Sequence, residues 1–305
     1  TSEQEAGVHP APIPRPPLIF GPDRRNSEGL ALEERHVRDA LLASMGTTLR
    51  DAFAVGPLVA GKPMEVGGPK RELLCPHDRR RSLGTVVEAT PALADEAAEK
   101  ATRAHKAWDA LGGEKRAEIL EKTAALYERD RAALMAVMVR EAGKTLDNAL
   151  GDVREAVDFL RYYANEARRL FSRPMELPGP TGEKNEMRLA GRGPFACISP
   201  WNFPLAIFTG QVSAALGAGN PVLAKPAEQT PLTAHLATRL FHEAGVPDDV
   251  LQLLPGGGDV GAALVANERV RGIAFTGSTD TASRIQQSLA RRLRGIVPFI
   301  AETGG

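Results

Sequence analysis

The sequence predicts an α/β protein: a doubly wound, Rossmann-like parallel sheet of five strands, preceded by long helices and an edge β segment. Five short apolar runs, at 194–199, 221–225, 250–254, 270–275 and 296–301, alternate with stretches rich in Ala, Leu and Gly at helical spacing, at 205–218, 232–244, 259–266 and 279–293. A strand and helix period of that kind is satisfied by parallel strands joined through right-handed crossovers. Polar residues follow these runs: Trp201 and Asn202 after the first, Lys225 and Glu228 at the second, Gly277 and Ser278 after the fourth, Glu302 after the fifth. Open parallel sheets bind ligands beyond the carboxyl ends of their strands, so these residues collect at one rim, as a nucleotide-type site beside a polar reaction centre.

The elements are justified in chain order. Residues 1–28 are charged and carry five prolines between Pro10 and Pro17, which reads as an extended linker. Residues 29–55 read as a helical connector, with an amphipathic pattern over 30–54. From Pro57 to Ala89, Gly, Pro and charged residues separate short alternating runs such as Leu83-Gly84-Thr85-Val86-Val87, the pattern of strands and turns at a sheet edge. Three long helical patterns follow, at 95–111, 114–142 and 146–171, the second closed by Gly143 as a C-cap. Helix 232–244 stops at Ala244-Gly245-Val246-Pro247; Pro255-Gly256-Gly257-Gly258 leads into helix 259–266, and Thr276-Gly277-Ser278-Thr279 opens helix 279–293. There is no internal repeat and no G-x-G-x-x-G, so the glycine runs alone carry little weight.

Composition describes a neutral enzyme. Lys plus Arg and Asp plus Glu are 38 each, which gives no field to steer nucleic acid or an anionic membrane. No apolar stretch is long enough to span a bilayer, and the N-terminus lacks a signal-peptide core. Two cysteines in 305 residues make no disulfide framework, which fits a cytoplasmic protein, and no metal-ligand spacing is present.

The motifs Pro200-Trp201-Asn202-Phe203-Pro204, Lys225-Pro226-Ala227-Glu228-Gln229-Thr230-Pro231, Phe275-Thr276-Gly277-Ser278 and Glu302-Thr303-Gly304-Gly305 occur in that order. Residues 56–305 thereby resemble the N-terminal, NAD-binding half of the aldehyde dehydrogenase superfamily. Arg140-Glu141-Ala142-Gly143-Lys144-Thr145, Phe159-Leu160-Arg161-Tyr162-Tyr163-Ala164 and Ile207-Phe208-Thr209-Gly210-Gln211 narrow the resemblance. They are similar to the L-glutamate γ-semialdehyde dehydrogenase module of the bifunctional proline-utilization flavoenzymes. Phe20-Gly21-Pro22-Asp23-Arg24-Arg25-Asn26-Ser27 resembles the linker joining that module to a preceding proline dehydrogenase barrel. What the resemblance implies is NAD as cofactor, with FAD confined to the barrel, a small-molecule aldehyde as substrate, and a homo-oligomer in the full-length protein.

It also implies roles. Asn202 matches the amide that stabilises the oxyanion when a thiolate attacks the aldehyde; read alone, it is a helix cap for a helix starting at Phe203 or Pro204. Lys225 and Glu228 match positions that bond the adenosine ribose hydroxyls, favouring NAD over NADP; read alone, they are an exposed ion pair. Gly277 and Ser278 sit where backbone N–H groups and a hydroxyl meet the pyrophosphate. Ser199, Pro200 and Trp201 border the cofactor crevice, although Trp201 is equally an ordinary core aromatic. Glu302 matches the general base that activates water. Phe203 and Glu141 match pocket residues for the semialdehyde, and a core Phe and a surface Glu explain them almost as well.

The nucleophile of the family is a cysteine beyond the E-x-G-G motif. Cys197 lies inside the first apolar strand and Cys75 in the edge segment, so neither replaces it, and residues 1–305 alone are expected to be inactive. The chain therefore reads as the middle of a longer bifunctional enzyme. Two other readings stay open: a non-catalytic NAD-binding or assembly module, and an aldehyde dehydrogenase for another semialdehyde such as succinate semialdehyde.

Overall fold

The computed structural model describes residues 14–49, 52–62, 65–292 and 295–304. Residues 1–13 of the predicted linker 1–28 lie outside these. A 3-10 turn at Pro16–Leu18 precedes helix α1 (Arg35–Thr48). Between them the chain docks on a long helix downstream: Ser27 donates from its amide and its hydroxyl to Asp158 (2.9 and 2.7 Å), and Arg161 donates to the Asn26 carbonyl (3.0 Å). The amphipathic pattern over 30–54 is realised as helix only in α1, because Phe53–Val55 is claimed by a strand, β1.

Strands β2 (Lys70–Leu74) and β3 (Ser82–Val87) complete a small sheet of order β1-β3-β2, with β1 parallel and β2 antiparallel to β3. Gly84 is obligatory there. Its φ is +135° and a Cβ would lie 1.9 Å from the Phe53 carbonyl oxygen.

Four helices follow: α2 (Pro91–Ala110), α3 (Gly113–Arg129), α4 (Arg131–Glu141) and α5 (Leu146–Phe171). The predicted single helix 114–142 is thus two, broken at Asp130, whose φ and ψ of −98° and 19° leave the helical basin. Gly143, at φ +70°, ends α4 as expected, and Thr145 caps α5 by accepting the Asn148 amide (3.2 Å). A two-stranded antiparallel hairpin, β4 (Met175–Leu177) and β5 (Asn185–Met187), leads into the main sheet.

That sheet contains β6 (Phe195–Ile198), β7 (Val222–Lys225), β8 (Leu251–Leu253), β9 (Gly272–Gly277) and β10 (Phe299–Thr303), all parallel, in the order β10-β9-β6-β7-β8. The crossovers are α6 (Ala206–Gly217), α7 (Pro231–Ala244), α8 (Gly258–Ala266) and α9 (Thr279–Ala290). The doubly wound class and the five predicted strands are therefore correct. The last two strands run two residues further than their apolar patterns, to Gly277 and Thr303, because register pairs Glu302 with Thr276 and Thr303 with Gly277. Gly277 accordingly closes a strand where a turn was expected.

Alternation along the strands explains the two layers. Phe195, Cys197, Val222, Ala224, Leu251 and Leu253 enter the core shared with α3 to α7. Ala196, Leu223, Ile273 and Phe275 point the other way, onto α2, α8 and α9. Strand order reverses between β6 and β9, and that switch point opens the crevice in which the candidate site lies. No helix among the described residues is long and apolar enough to cross a membrane.

Candidate active site

On one face of the switch point a cavity of about 510 Å³ is lined by Ser199, Lys225, Glu228, Gly261, Thr276 and Arg284, among others. Lys225 ends β7 with its side chain buried, its Nζ 3.7 Å from a Glu228 carboxylate oxygen. Burial lowers its pKa, and the charges of Glu228 and Asp259 oppose that shift. The pair is thus not the exposed one its loop position alone would suggest: Glu228 is exposed, but Lys225 is only 6% exposed. The lysine stem runs along α8 at Gly261, where a Cβ would stand in ordinary van der Waals contact with Lys225 Cδ, at 3.8 Å. Ser199 is buried, and its hydroxyl has no partner among the described residues. A buried, orphaned hydroxyl beside a lysine and a carboxylate is what a hydroxyl-rich polar ligand would complete.

Ser278 is committed differently from expectation. Its hydroxyl caps α9 by accepting the Thr281 amide (3.3 Å), so the free donors at that helix end are backbone N–H groups.

The opposite face of the switch point holds the Trp201-Asn202-Phe203 loop. Its first residue is 54% exposed, which removes the reading of Trp201 as a core aromatic. Helix α6 begins at Ala206 with Leu205 as N-cap, so Asn202 does not cap it. The Asn202 side-chain oxygen accepts only the Phe203 amide (3.2 Å), leaving the NH₂ group without a partner among the described residues. Gln211 ties the floor together, donating to the Ile198 carbonyl (3.3 Å) and the Thr276 hydroxyl (3.1 Å). It shares a cavity of about 300 Å³ with Tyr163, Thr276 and Glu302. Burial first, then the neighbouring Tyr162 and Glu302 charges, raise the Tyr163 pKa.

Two charged residues that the sequence reading missed hold this loop. Asp152 on α5 is fully buried and accepts the Ala206 amide at 2.6 Å, capping α6 from another element. Lys144 pairs with it at 2.8 Å, and its Nζ stands 4.1 Å from the Phe203 ring centroid. The available signal was a carboxylate on an apolar stripe, since Ala149, Val153 and Ala156 surround Asp152 on the buried face of α5.

Glu141 is not brought to this pocket. Its carboxylate is buried and accepts from the Leu232 amide (2.6 Å), the Thr233 amide (2.9 Å) and the Thr233 hydroxyl (2.7 Å), which makes it the cap of α7. Burial outweighs these bonds and pushes its pKa up to about 7. The carboxylate within electrostatic reach of Lys144 and Asp152 is instead Glu155, raised by burial and by the Asp152 charge. Cys197 is buried, and desolvation pushes its thiol well up, as expected of a structural cysteine.

The sequence profile of the aldehyde dehydrogenase family matches residues 65–305. The chain belongs to the aldehyde dehydrogenase family. Among curated relatives, the bifunctional protein PutA of Klebsiella aerogenes is 45% identical over 99% of this chain and 22% of its own length. The 1-pyrroline-5-carboxylate dehydrogenase of Geobacillus thermodenitrificans is 36% identical over 88% of this chain and 53% of its own. The solved structure of a Thermus 1-pyrroline-5-carboxylate dehydrogenase with bound NAD superposes with a TM-score of 0.87 at 34% identity, covering 92% of this chain and 55% of that one. This member of the family thus spans about a fifth of the PutA relative and about half of the dehydrogenase.

Proposed function

We propose that the chain is the nucleotide-binding part of an enzyme that oxidises L-glutamate γ-semialdehyde, the open form of 1-pyrroline-5-carboxylate, to L-glutamate with NAD+. The observation that carries this is the partnerless buried hydroxyl of Ser199 in one cavity with Lys225 and Glu228. These residues suit the hydroxyls of an adenosine ribose, and the Glu228 carboxylate would repel a 2′-phosphate. Pro200 and Trp201 follow Ser199 directly in the chain and would approach the nicotinamide end of the cofactor, and the first-turn amides of α9 after Gly277 suit a pyrophosphate. When bound, the nicotinamide supplies the hydride acceptor.

In this reading the Asn202 NH₂, which has no partner among the described residues, donates to oxygen charge developing on the aldehyde. Glu302, paired in register with Thr276, takes a proton from water. Phe203 offers an apolar face for the aliphatic stem. The substrate is inferred from relatives named for 1-pyrroline-5-carboxylate dehydrogenase. Covalent capture of the aldehyde needs a thiolate, and both cysteines here are buried, so the nucleophile belongs to a segment outside these residues. Free, unpaired cysteines also favour a reducing compartment, the cytoplasm, as the site of action.

Calorimetry on the 305-residue chain tests the cofactor assignment. NAD+ is expected to bind more tightly than NADP+, and Glu228→Ala to weaken NAD+ about tenfold, the loss of one charge-assisted bond. Tighter binding of NADP+, or no effect of the substitution, overturns it. The substrate assignment is tested by NAD-linked oxidation of glutamate γ-semialdehyde by a longer natural polypeptide containing these residues; faster turnover of succinate semialdehyde overturns it.

A further inference from the structure

The loop that carries Glu228 is held from outside the Rossmann-like sheet. Arg71, on β2 of the small sheet, donates from Nη2 to the Glu228 backbone carbonyl at 2.7 Å and from Nε to a Glu88 carboxylate oxygen at 2.7 Å. Glu88 is itself anchored. Its carbonyl accepts the Gly68 amide (2.6 Å) and its amide donates to Pro69 (3.1 Å), while Ala89 donates to the Pro255 carbonyl (2.6 Å) in the loop that opens α8. Glu88 also lies within electrostatic reach of Lys225. One guanidinium thus ties the Glu228 loop, which lines the cavity, to Glu88 at the end of the small sheet, with its fork used in two directions.

We propose that Arg71 is a positioning residue for the dinucleotide, and that through the Glu228 backbone it determines the preference for NAD+ over NADP+. This inference rests on the nucleotide reading of the cavity. The Glu228 side chain is half exposed, at 51%, and its carboxylate lies 3.7 Å from Lys225 Nζ. Its direction depends on the backbone it hangs from as well as on that lysine, and Arg71 grips that backbone at the carbonyl. With the grip intact, the carboxylate is held beside Lys225, where it accepts from a ribose and repels a 2′-phosphate. Without it, the loop relaxes, the acceptor for the ribose is lost from its place, and the carboxylate can turn away from a 2′-phosphate that Lys225 then attracts. Lysine is not equivalent, because one ammonium cannot span Glu88 and the Glu228 carbonyl in fixed geometry.

The experiment is calorimetric titration of the 305-residue chain with NAD+, NADP+ and 5′-AMP, on wild type, Arg71→Ala, Arg71→Lys and Glu88→Gln, with thermal melts in the absence of nucleotide. Arg71→Ala is expected to raise the NAD+ and AMP dissociation constants about tenfold and not to weaken NADP+, narrowing the preference by at least that factor. Glu88→Gln and Arg71→Lys are expected to fall between it and wild type. A role confined to stability would lower the melting temperature and weaken both dinucleotides in parallel, and that result overturns the proposal. So does a wild-type NAD+ to NADP+ ratio in Arg71→Ala. Glu88→Gln retains Arg71 but removes the carboxylate charge that orients its guanidinium toward the Glu228 carbonyl, so it decides the matter if Arg71→Ala does not fold: an unaltered ratio there also overturns the proposal. Wild-type chain that binds neither dinucleotide overturns the nucleotide reading itself and this inference with it, a result distinguishable from failure of Arg71 alone.

Discussion

Asp152 and Ala206 are 54 residues apart in sequence, yet the Asp152 carboxylate accepts the Ala206 amide at 2.6 Å and caps the helix that follows the Asn202 loop. Burial raises the pKa of this carboxyl, and the Lys144 ammonium and the Ala206 and Leu205 amides oppose that shift without cancelling it. Removing the carboxylate would leave the Lys144 ammonium buried without its counter-ion and the first turn of α6 without a cap. Asp152→Ala is expected to destabilise the chain by about 3 kcal/mol in urea unfolding, the size reported for breaking one partner of a buried pair. Asp152→Asn keeps an acceptor oxygen and is expected to recover part of that loss. A change below about 0.5 kcal/mol for the alanine variant, the range of ordinary surface substitutions, would contradict the capping role.

Glu141 predicts a pH dependence. Its folded pKa is raised from 4.5 to about 7 by burial, so between those values the native state binds the extra proton. The contribution is therefore fully present below about pH 4.5 and is lost as pH rises through about 7. Wild-type stability should fall over that window by about 2 to 3 kcal/mol relative to Glu141→Gln, which cannot titrate. Unfolding free energies for the two proteins at pH 5 and pH 8 give the comparison; parallel profiles would show that Glu141 ionises at its ordinary value.

Much of this architecture was legible because local signals agreed. Thr145 before Leu146, with Asp147 in the first turn, marks the start of α5, and both of its ends were read correctly from the pattern. The break at Asp130 was not legible. Arg129-Asp130-Arg131 contains neither Gly nor Pro, and the bend is held by side-chain contacts that no breaker rule reads, Arg129 bonding both Asp130 (2.6 Å) and Glu243 on α7 (2.6 Å). The rim residues Asn202, Lys225, Glu228 and Glu302 could be placed because each follows an apolar run, and topology puts every such end on the same side. Glu141, Asp152 and Arg71 act on amides or carbonyls 54 to 157 residues away. No spacing rule reaches that far, and Glu141 was assigned to a substrate pocket when its oxygens were already spent on α7.

Both cysteines are buried, Cys75 in the small-sheet region and Cys197 in β6. Native chain is expected to react slowly with a thiol reagent such as Ellman's, and to release two equivalents at once in denaturant, the number of cysteines in the sequence. Alongside, residues 1–305 alone should show no NAD-linked aldehyde oxidation. Turnover that disappears in Cys197→Ser would reverse the structural reading of that thiol.

Strand β10 ends the sheet, and among the described residues no strand pairs with its outer edge. Ile300 on that strand is 57% exposed and Ile296 just before it is 97% exposed. Together with the backbone donors and acceptors of an open edge, these side chains form a surface on which another strand or another chain would pack. The 305-residue chain in isolation is therefore expected to associate in a concentration-dependent way. Ile296→Lys with Ile300→Lys should return it to a monomer, because one charge on the edge strand and one just before it oppose pairing without touching the core. Light scattering across a dilution series measures this, and a wild-type chain that stays monomeric at high concentration would show that β10 does not act as an adhesive edge.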